Sequence, residues 1–358
     1  MEKINVRHAI SIGTLFSIGS LIISLGLNNQ CTWQILIISF LLSLLILLIY
    51  QKLLIKYPNL TIFEIIKLKY NNFFGNLLIT IYILILTYNG VVIIYSFIDF
   101  ITTINQSDFL SKELIMLINT LLIGYVLKNS LVNIARFSQV TFIIVLFMII
   151  FLFVAGARDI DYTNLLPIIS KRSENKTIIL NMIVQPFLEI TLLYNVFCKI
   201  KTTQKYKKHI FMIVGFMSLV LLLIISIESI GLLGKEYYSF LNYPYYSAMA
   251  CINLNKIVIK IESMALIIFY FSSFIKLVFI VYNVILGFNN ICKIKKKYYY
   301  PYLMLIHVLS LIFFDNIYEM MKLKYYYSIF LFIFVLLIPI LINIRNNEND
   351  HKNITQYT

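Results

Sequence analysis

Long apolar runs separated by short polar segments dominate the pattern of the chain. A helix needs about 20 mostly apolar residues to cross a hydrocarbon core of about 30 Å, and ten runs approach or reach that length. The segment 61–70 is too short and too charged to cross, so we expect an amphipathic helix at the cytoplasmic interface. The predicted spans are 8–26, 33–55, 76–101, 114–127, 137–156, 177–197, 210–233, 263–288, 301–316 and 325–343.

The composition agrees with a protein that lies in lipid. Hydrophobic residues make up 60% of the chain and charged residues 13%, whereas soluble domains are nearer half apolar and a quarter charged. The segments between the runs are too short for a soluble catalytic domain, and the sequence has no phosphate-loop, dinucleotide, zinc-protease or serine-hydrolase motif. The four cysteines have no metal-ligand spacing. We therefore expect neither an enzyme nor a cofactor nor a metal site.

The distribution of lysine and arginine predicts the orientation. The formal net charge of +14 could indicate a nucleic-acid partner, but the basic residues fall in short loops between spans. With the N-terminus inside, nineteen of the 30 Lys and Arg residues lie on the cytoplasmic side and ten on the other. Short cytoplasmic loops carry the excess of positive charge. Both termini, including a tail at 344–358, are predicted to be cytoplasmic, and no nucleic-acid partner is expected.

Three charged side chains lie well inside predicted spans; at mid-membrane such a group costs roughly 2.5–3.5 kcal/mol. Glu189 in span six and Lys276 in span eight lie near the midplane, and Glu228 lies in the outer half of span seven. Glu189 and Lys276 could pair simply to neutralise each other, or the ammonium could occupy the place of a transported cation. Acidic residues at span ends can reach water instead: these are Asp99, Glu262 and Asp315.

Two spans carry signs of interruption. Gln185, Pro186 and Glu189 lie within five residues of span six, where the proline must kink or break the helix. The result is either a simple kink or a cavity lined by freed backbone groups. Span one carries a run of small residues around Gly19, which permits close helix packing or marks a second break.

Breaks five spans apart are typical of inverted five-helix repeats. We therefore predict one all-α polytopic domain over 1–358, with repeats at about 8–156 and 177–343 and with broken helices one and six. In that architecture exposed amides can hold a carboxylate, and free carbonyls can hold an ammonium or a cation.

A series of short sequence fragments, in order along the chain, carries a family resemblance. They are SIGS at 17–20, Trp33, Tyr57-Pro58 with Thr61 and Glu64, IAR at 134–136, NLLPI at 164–168, Tyr243-Pro244, KIVIKIESM at 256–264 and SSFIK at 272–276. The chain resembles the germination permease family, the B subunits of GerA-type nutrient receptors, within the amino acid–polyamine–organocation superfamily.

The resemblance implies a germinant sensor in the inner membrane of a spore, which binds a small nutrient such as an amino acid and acts with A and C subunits. Alternatives are a proton-coupled amino acid transporter and a subunit without a small-molecule site. One candidate for the nutrient site, Tyr82, has a simpler alternative: it could be an ordinary interfacial tyrosine. The breaks and the resemblance together give these candidate ligand-binding residues: Ser17, Gly19, Ser20, Tyr82, Leu86, Gln185, Pro186, Glu189, Ser272 and Lys276.

Overall fold

Helices dominate the part of the chain that the computed structural model describes. That part comprises residues 3–21, 31–104, 111–166, 176–201, 205–252, 261–292 and 299–344. An isolated bridge joins Ile4 and Ile200. The α-helices are α1 (Val6–Leu21), α2 (Thr32–Lys56), α3 (Ile62–Lys69), α4 (Asn72–Ile104), α5 (Lys112–Leu127), α6 (Leu131–Gly156), α7 (Lys176–Met182), α8 (Tyr194–Phe197), α9 (Ile210–Leu233), α10 (Lys235–Phe240), α11 (Pro244–Ala250), α12 (Glu262–Ile291), α13 (Tyr299–Phe313) and α14 (Ile317–Ile344).

The predicted all-α membrane fold is confirmed. In the described ranges, seven helical stretches are long and apolar enough to cross a membrane: 32–56, 72–104, 131–156, 178–197, 207–233, 262–291 and 317–344. The first, fourth and ninth predicted spans correspond to the shorter helices α1, α5 and α13. Helix α1 is continuous through Gly19 to Leu21, so the break proposed for span one at Gly19 is wrong. The end of that span and most of the tail, residues 22–26 and 345–358, lie outside the described residues.

Burial separates central helices from peripheral ones. The apolar windows of α12 and of the stretch 178–197 are each 72% buried, against 33% for α6. Large apolar side chains on the peripheral helices face outward, and Leu45, Phe147 and Val154 are examples. Because lipid tails are as apolar as leucine, such exposure is expected in a bilayer. The sixth and eighth spans therefore form the centre of the bundle.

Helix α3 forms where the amphipathic segment was predicted, but it packs under the bundle. Thr61 caps its N-terminus in a reciprocal capping box with Glu64, which satisfies two backbone donors. Ile62, Phe63, Ile65 and Ile66 are buried, and the Phe63 ring lies 5.1 Å from that of Tyr82. Its apolar face therefore contacts α4 rather than lipid.

A buried lysine closes the end of the bundle that carries Ile4, Lys199 and Lys207, here called the basic end. The Lys207 ammonium donates to the carbonyl oxygens of Pro58 at 2.6 Å, Cys198 at 3.1 Å and Ile200 at 2.9 Å. A cation at these carbonyls satisfies acceptors that the end of a helix leaves free. It ties the end of the sixth span to the segment before α3.

Aromatic rings close the opposite end, here called the Tyr243 end. Asp99, which was expected to reach water, is half-buried, and its carboxylate accepts a hydrogen bond from the Tyr243 hydroxyl. Burial first, and then the Asp99 carboxylate, hold the pKa of Tyr243 well above its usual value, so this hydroxyl remains a donor. The Phe100 ring packs on Tyr243 and Phe269, with centroid distances of 4.8 and 4.5 Å.

Two glycines give α1 its close packing. A Cβ atom on Gly19 would lie 2.7 Å from the Ser272 carbonyl oxygen, and one on Gly13 would lie 2.5 Å from a Val214 methyl group. Only glycine permits backbones to approach this closely. Of the two interpretations left open by the sequence, close packing therefore explains both glycines within the described part of α1.

Candidate functional site

The sixth span is broken at Pro186, as predicted. Helix α7 ends at Met182, a π-helical turn covers Ile183–Phe187, and a 3-10 helix covers Leu188–Leu193 before α8 begins. Inside the turn Gln185 is extended, with φ −111° and ψ 115°. Proline has no backbone N–H and cannot continue an α-helix through this point. The break leaves the Pro186 carbonyl oxygen free, and it accepts a hydrogen bond of 3.0 Å from the Ser17 hydroxyl of α1.

Directly after the break, Glu189 and Lys276 form a buried ion pair. The Lys276 ammonium contacts Glu189 Oε2, and the two residues are 1% and 0% exposed. The predicted contact between spans six and eight is therefore present. Asn89 of α4 donates to Glu189 Oε1 at 2.8 Å and to the Tyr327 hydroxyl of α14 at 2.9 Å. Each carboxylate oxygen thus has a partner from a different helix, as a buried charge requires.

The Lys276 ammonium has a further neighbour in α1. It lies over the Phe16 ring, 5.0 Å from the centroid, where the electron-rich face of an aromatic ring attracts a cation. The ion pair therefore joins four spans: α1 through Phe16, α4 through Asn89, the broken span through Glu189, and α12.

A second buried lysine, Lys324, lies near the pair. The predicted last span begins at residue 325, which places Lys324 in the preceding loop. In the structure α14 begins at Ile317 and includes Lys324. It is 8% exposed and within electrostatic range of Glu189 and Lys276. Glu189 is the one carboxylate that acts on Lys324 in the described residues, so this group combines one carboxylate with two amines.

The structure brings part of the predicted site together. Ser17, Gln185, Pro186, Glu189 and Lys276 meet at the break and are all buried. Sequence reasoning missed the three side chains that complete this group, Asn89, Lys324 and Tyr327. An asparagine inside an otherwise apolar span is the signal that could have drawn attention to Asn89.

The other candidates lie around this group with different roles. Tyr82 is buried between the Phe63 and Phe334 rings, and its hydroxyl lies 3.5 Å from the Leu192 carbonyl oxygen. Leu86 is buried one turn before Asn89. Ser272 donates to the Ile268 and Phe269 carbonyls of its own helix. Gly19 packs against the Ser272 backbone, and the Ser20 side chain lies outside the described residues.

A separate cleft lies between α4, α5 and α12. It is small and open to the outside, and its lining includes Ile93, Asn119, Ser273 and Leu277. This lining is mostly apolar and contains none of the predicted site residues. The charged group at the break, rather than this cleft, is therefore the candidate functional site.

Comparison with solved structures shows a transporter fold. The chain is similar to a manganese transporter from Eremococcus coleocola, solved in complex with an aromatic bis-isothiourea substituted compound. The TM-score is 0.57 at 11% sequence identity, and the match covers 94% of this chain and 77% of that chain. At this identity the likeness concerns the fold alone. A comparison with curated protein sequences gives no match.

Comparison with protein families is more specific. The profile of a family described as spore germination protein, Spore_permease, matches residues 3–320. The match begins before α1, passes through the broken sixth span and the ion pair, and ends within α14. This integral membrane protein is therefore a permease-type member of the spore germination protein family.

Proposed function

We propose that this protein is the nutrient-binding subunit of a germinant receptor. The nutrient binds where the broken sixth span meets α1, α4, α12 and α14, and its binding triggers germination. The observation that carries the proposal is the group of buried charges at the break: Glu189, Lys276 and Lys324. Ionisable groups in mid-membrane are costly, and in membrane proteins they mark ligand and ion pathways.

The charges favour a ligand that carries a carboxylate. Glu189 and Lys276 neutralise each other, which leaves Lys324 as the excess positive charge. Lys324 also keeps more exposed surface, 8% against 0% for Glu189 and 1% for Lys276. A carboxylate would offset this charge and accept a charge-assisted hydrogen bond. The ammonium of an amino acid would find acceptors in Glu189 and in the carbonyls freed at the break. An amino acid therefore fits both groups.

A proton-coupled amino acid transporter of the same superfamily is the second candidate. Its support is the likeness to a transporter structure, together with a buried carboxylate that could carry the coupling proton. Sensing and transport need the same pocket, so the two candidates differ only in whether the ligand crosses the membrane.

The proposal includes the surroundings of the subunit. We place it in the inner membrane of the spore, with A and C subunits as partners and with both termini in the cytoplasm. Its family supports the first two points. The concentration of lysines at the basic end supports the orientation, because cytoplasmic loops carry the excess of positive charge.

Calorimetric titration of the purified full-length chain with a panel of amino acids tests the proposal, followed by uptake assays in vesicles. Amino acid amides, which lack the carboxylate, are the matched control ligands. We expect saturable binding of at least one amino acid, weaker binding of its amide, and no uptake above that of protein-free vesicles. Uptake driven by a proton gradient would establish the transporter instead. If no amino acid binds, the nutrient site at the break is wrong.

A further inference from the structure

Glu228 is a buried acid that the candidate site does not use. It lies in α9, five residues before the end of the helix at the Tyr243 end, and it is 0% exposed. Neither of its carboxyl oxygens has a hydrogen-bond partner in the described residues. Glu189, by contrast, has a partner for each oxygen. These two buried acids of the described residues therefore differ in what stabilises them.

The walls around Glu228 come from three elements. A Cβ atom on Gly156, at the end of α6, would lie 3.2 Å from Glu228 Oε1 and 3.1 Å from the Ile252 side chain. Tyr245 of α11 interacts electrostatically with Glu228 and is 1% exposed. The Tyr245 hydroxyl also lacks a hydrogen-bond partner among the described residues. A glycine, an isoleucine and a tyrosine therefore enclose this acid.

The charged groups nearby do not compensate it. Glu228 acts electrostatically on Tyr245. Burial, with no charged partner among the described residues, is what acts on Glu228 itself. The hydroxyls of Ser226 and Ser229 bond to carbonyls of α9 itself. The charged residues that follow α6 or α9 at this end are exposed or half-buried: Arg158, Asp159, Asp161, Lys235 and Glu236.

Burial without a partner decides the charge state. An isolated carboxylate in an apolar environment costs far more free energy than a neutral carboxyl group, and in practice the group takes up a proton. The neutral acid also keeps one O–H donor and needs no counterion. Tyr245 adds only one oxygen, which is too few to replace the hydration shell of a metal cation.

We propose that Glu228 is a proton-binding site at the Tyr243 end of the bundle. The closed arrangement of α6, α9 and α11 holds the carboxyl group in its protonated form. When α11 moves and water reaches the site, the O–H bond breaks, the electron pair stays on the carboxylate and the proton passes to water. Opening of this end is thereby coupled to proton release. The inference is independent of the nutrient site at the break.

Infrared spectroscopy of the purified full-length chain at neutral pH tests the proposal directly. The difference spectrum between the wild type and Glu228→Gln should contain the carbonyl band of a protonated carboxyl group, and this band should disappear as the pH is raised to alkaline values. Glutamine keeps the shape and neutrality of the protonated acid, so the variant should fold. A difference spectrum with only carboxylate bands at neutral pH would overturn the assignment.

Carbodiimide labelling provides a second measurement with a control inside the same chain. Dicyclohexylcarbodiimide is apolar and reacts with protonated carboxyl groups. Peptide mapping should show the adduct at Glu228, its loss at alkaline pH, and no adduct at the ion-paired Glu189. Equal labelling of both glutamates, or labelling of Glu228 that does not change with pH, would contradict a proton site.

Discussion

Glu189 is held from two sides, by the Lys276 ammonium and by the Asn89 amide. Removing one partner of a buried pair typically costs about 3–5 kcal/mol, because the other charge stays buried and unpaired. The two single variants should nevertheless differ. Glu189→Gln leaves two ammonium groups near each other, whereas Lys276→Met leaves Glu189 within range of Lys324.

We therefore expect Glu189→Gln to lower the folded yield and Tm more than Lys276→Met does. The double variant should recover part of the loss seen in Glu189→Gln, because it removes the second charge as well. Size-exclusion profiles and thermal melts of the purified variants measure both quantities. A double variant as unstable as the sum of the singles would contradict the direct contact.

Lys324 offers a test of the carboxylate site, because a matched control lies two residues away. Lys324→Met should weaken amino acid binding by about tenfold or more, since a hydrogen bond to a charged group contributes about 1.5–3 kcal/mol. Lys322, which is exposed on the same helix, should tolerate the change to Met without loss of affinity. Titration calorimetry compares the two variants. Equal affinities would show that Lys324 does not contact the ligand.

At the scale of single residues, the sequence predicts the charged pair of the site better than it predicts the side chains around that pair. Glu189 and Lys276 are conspicuous because each interrupts a long apolar run. Lys324 is not, because it lies in the tyrosine- and lysine-rich segment just before an apolar run. Asn89 and Tyr327 are uncharged, and which face of α4 or α14 meets the break is decided by packing between distant segments. No periodicity within one helix contains that information.

Among the elements, α1 and α12 approach each other backbone to backbone at Gly19. Gly19→Ala places a methyl group 2.7 Å from a backbone oxygen that cannot rotate away. Overpacking of this kind typically costs about 1–3 kcal/mol. We expect a lower Tm for this variant. Gly90→Ala in α4 is the control, because its nearest neighbours lie at an ordinary 3.6 Å. Equal Tm values for the two variants would contradict the tight packing of α1 on α12.

Element boundaries show why hydropathy alone misplaces a residue. The apolar run of the last span begins near residue 325, but backbone hydrogen bonding starts α14 at Ile317. The extra turns carry Lys324 into the bundle. The break at Pro186 was predictable, in contrast, because proline acts through its own covalent structure. Local chemistry could be predicted from sequence. Apart from the Glu189–Lys276 pair, the contacts that replace lipid or water could not.

Across the described part of the molecule, the polar groups discussed above lie at three depths along the bundle, from the basic end to the Tyr243 end. Lys207 binds backbone carbonyls at the basic end. The ion pair and Lys324 lie at the break. Glu228 and the Asp99–Tyr243 bond lie toward the Tyr243 end. The two ends of the described bundle are closed by different chemistry. At the basic end a lysine donates to backbone carbonyls, and at the Tyr243 end aromatic rings pack near acidic side chains. A change of external pH would therefore act on the Tyr243 end if that end faces outward.

The orientation can be tested with the cysteines that the chain already has. Cys251 and Cys292 are exposed, whereas Cys31 and Cys198 are buried. Cys251 follows α11 at the Tyr243 end, and Cys292 follows α12 at the basic end. With the basic end in the cytoplasm, an impermeant maleimide added outside intact cells should label Cys251 and leave Cys292 unmodified. Cys251→Ser and Cys292→Ser assign the label, and permeabilised cells show that both thiols react. Labelling of Cys292 alone from outside would reverse the orientation, and Glu228 would then lie toward the cytoplasm.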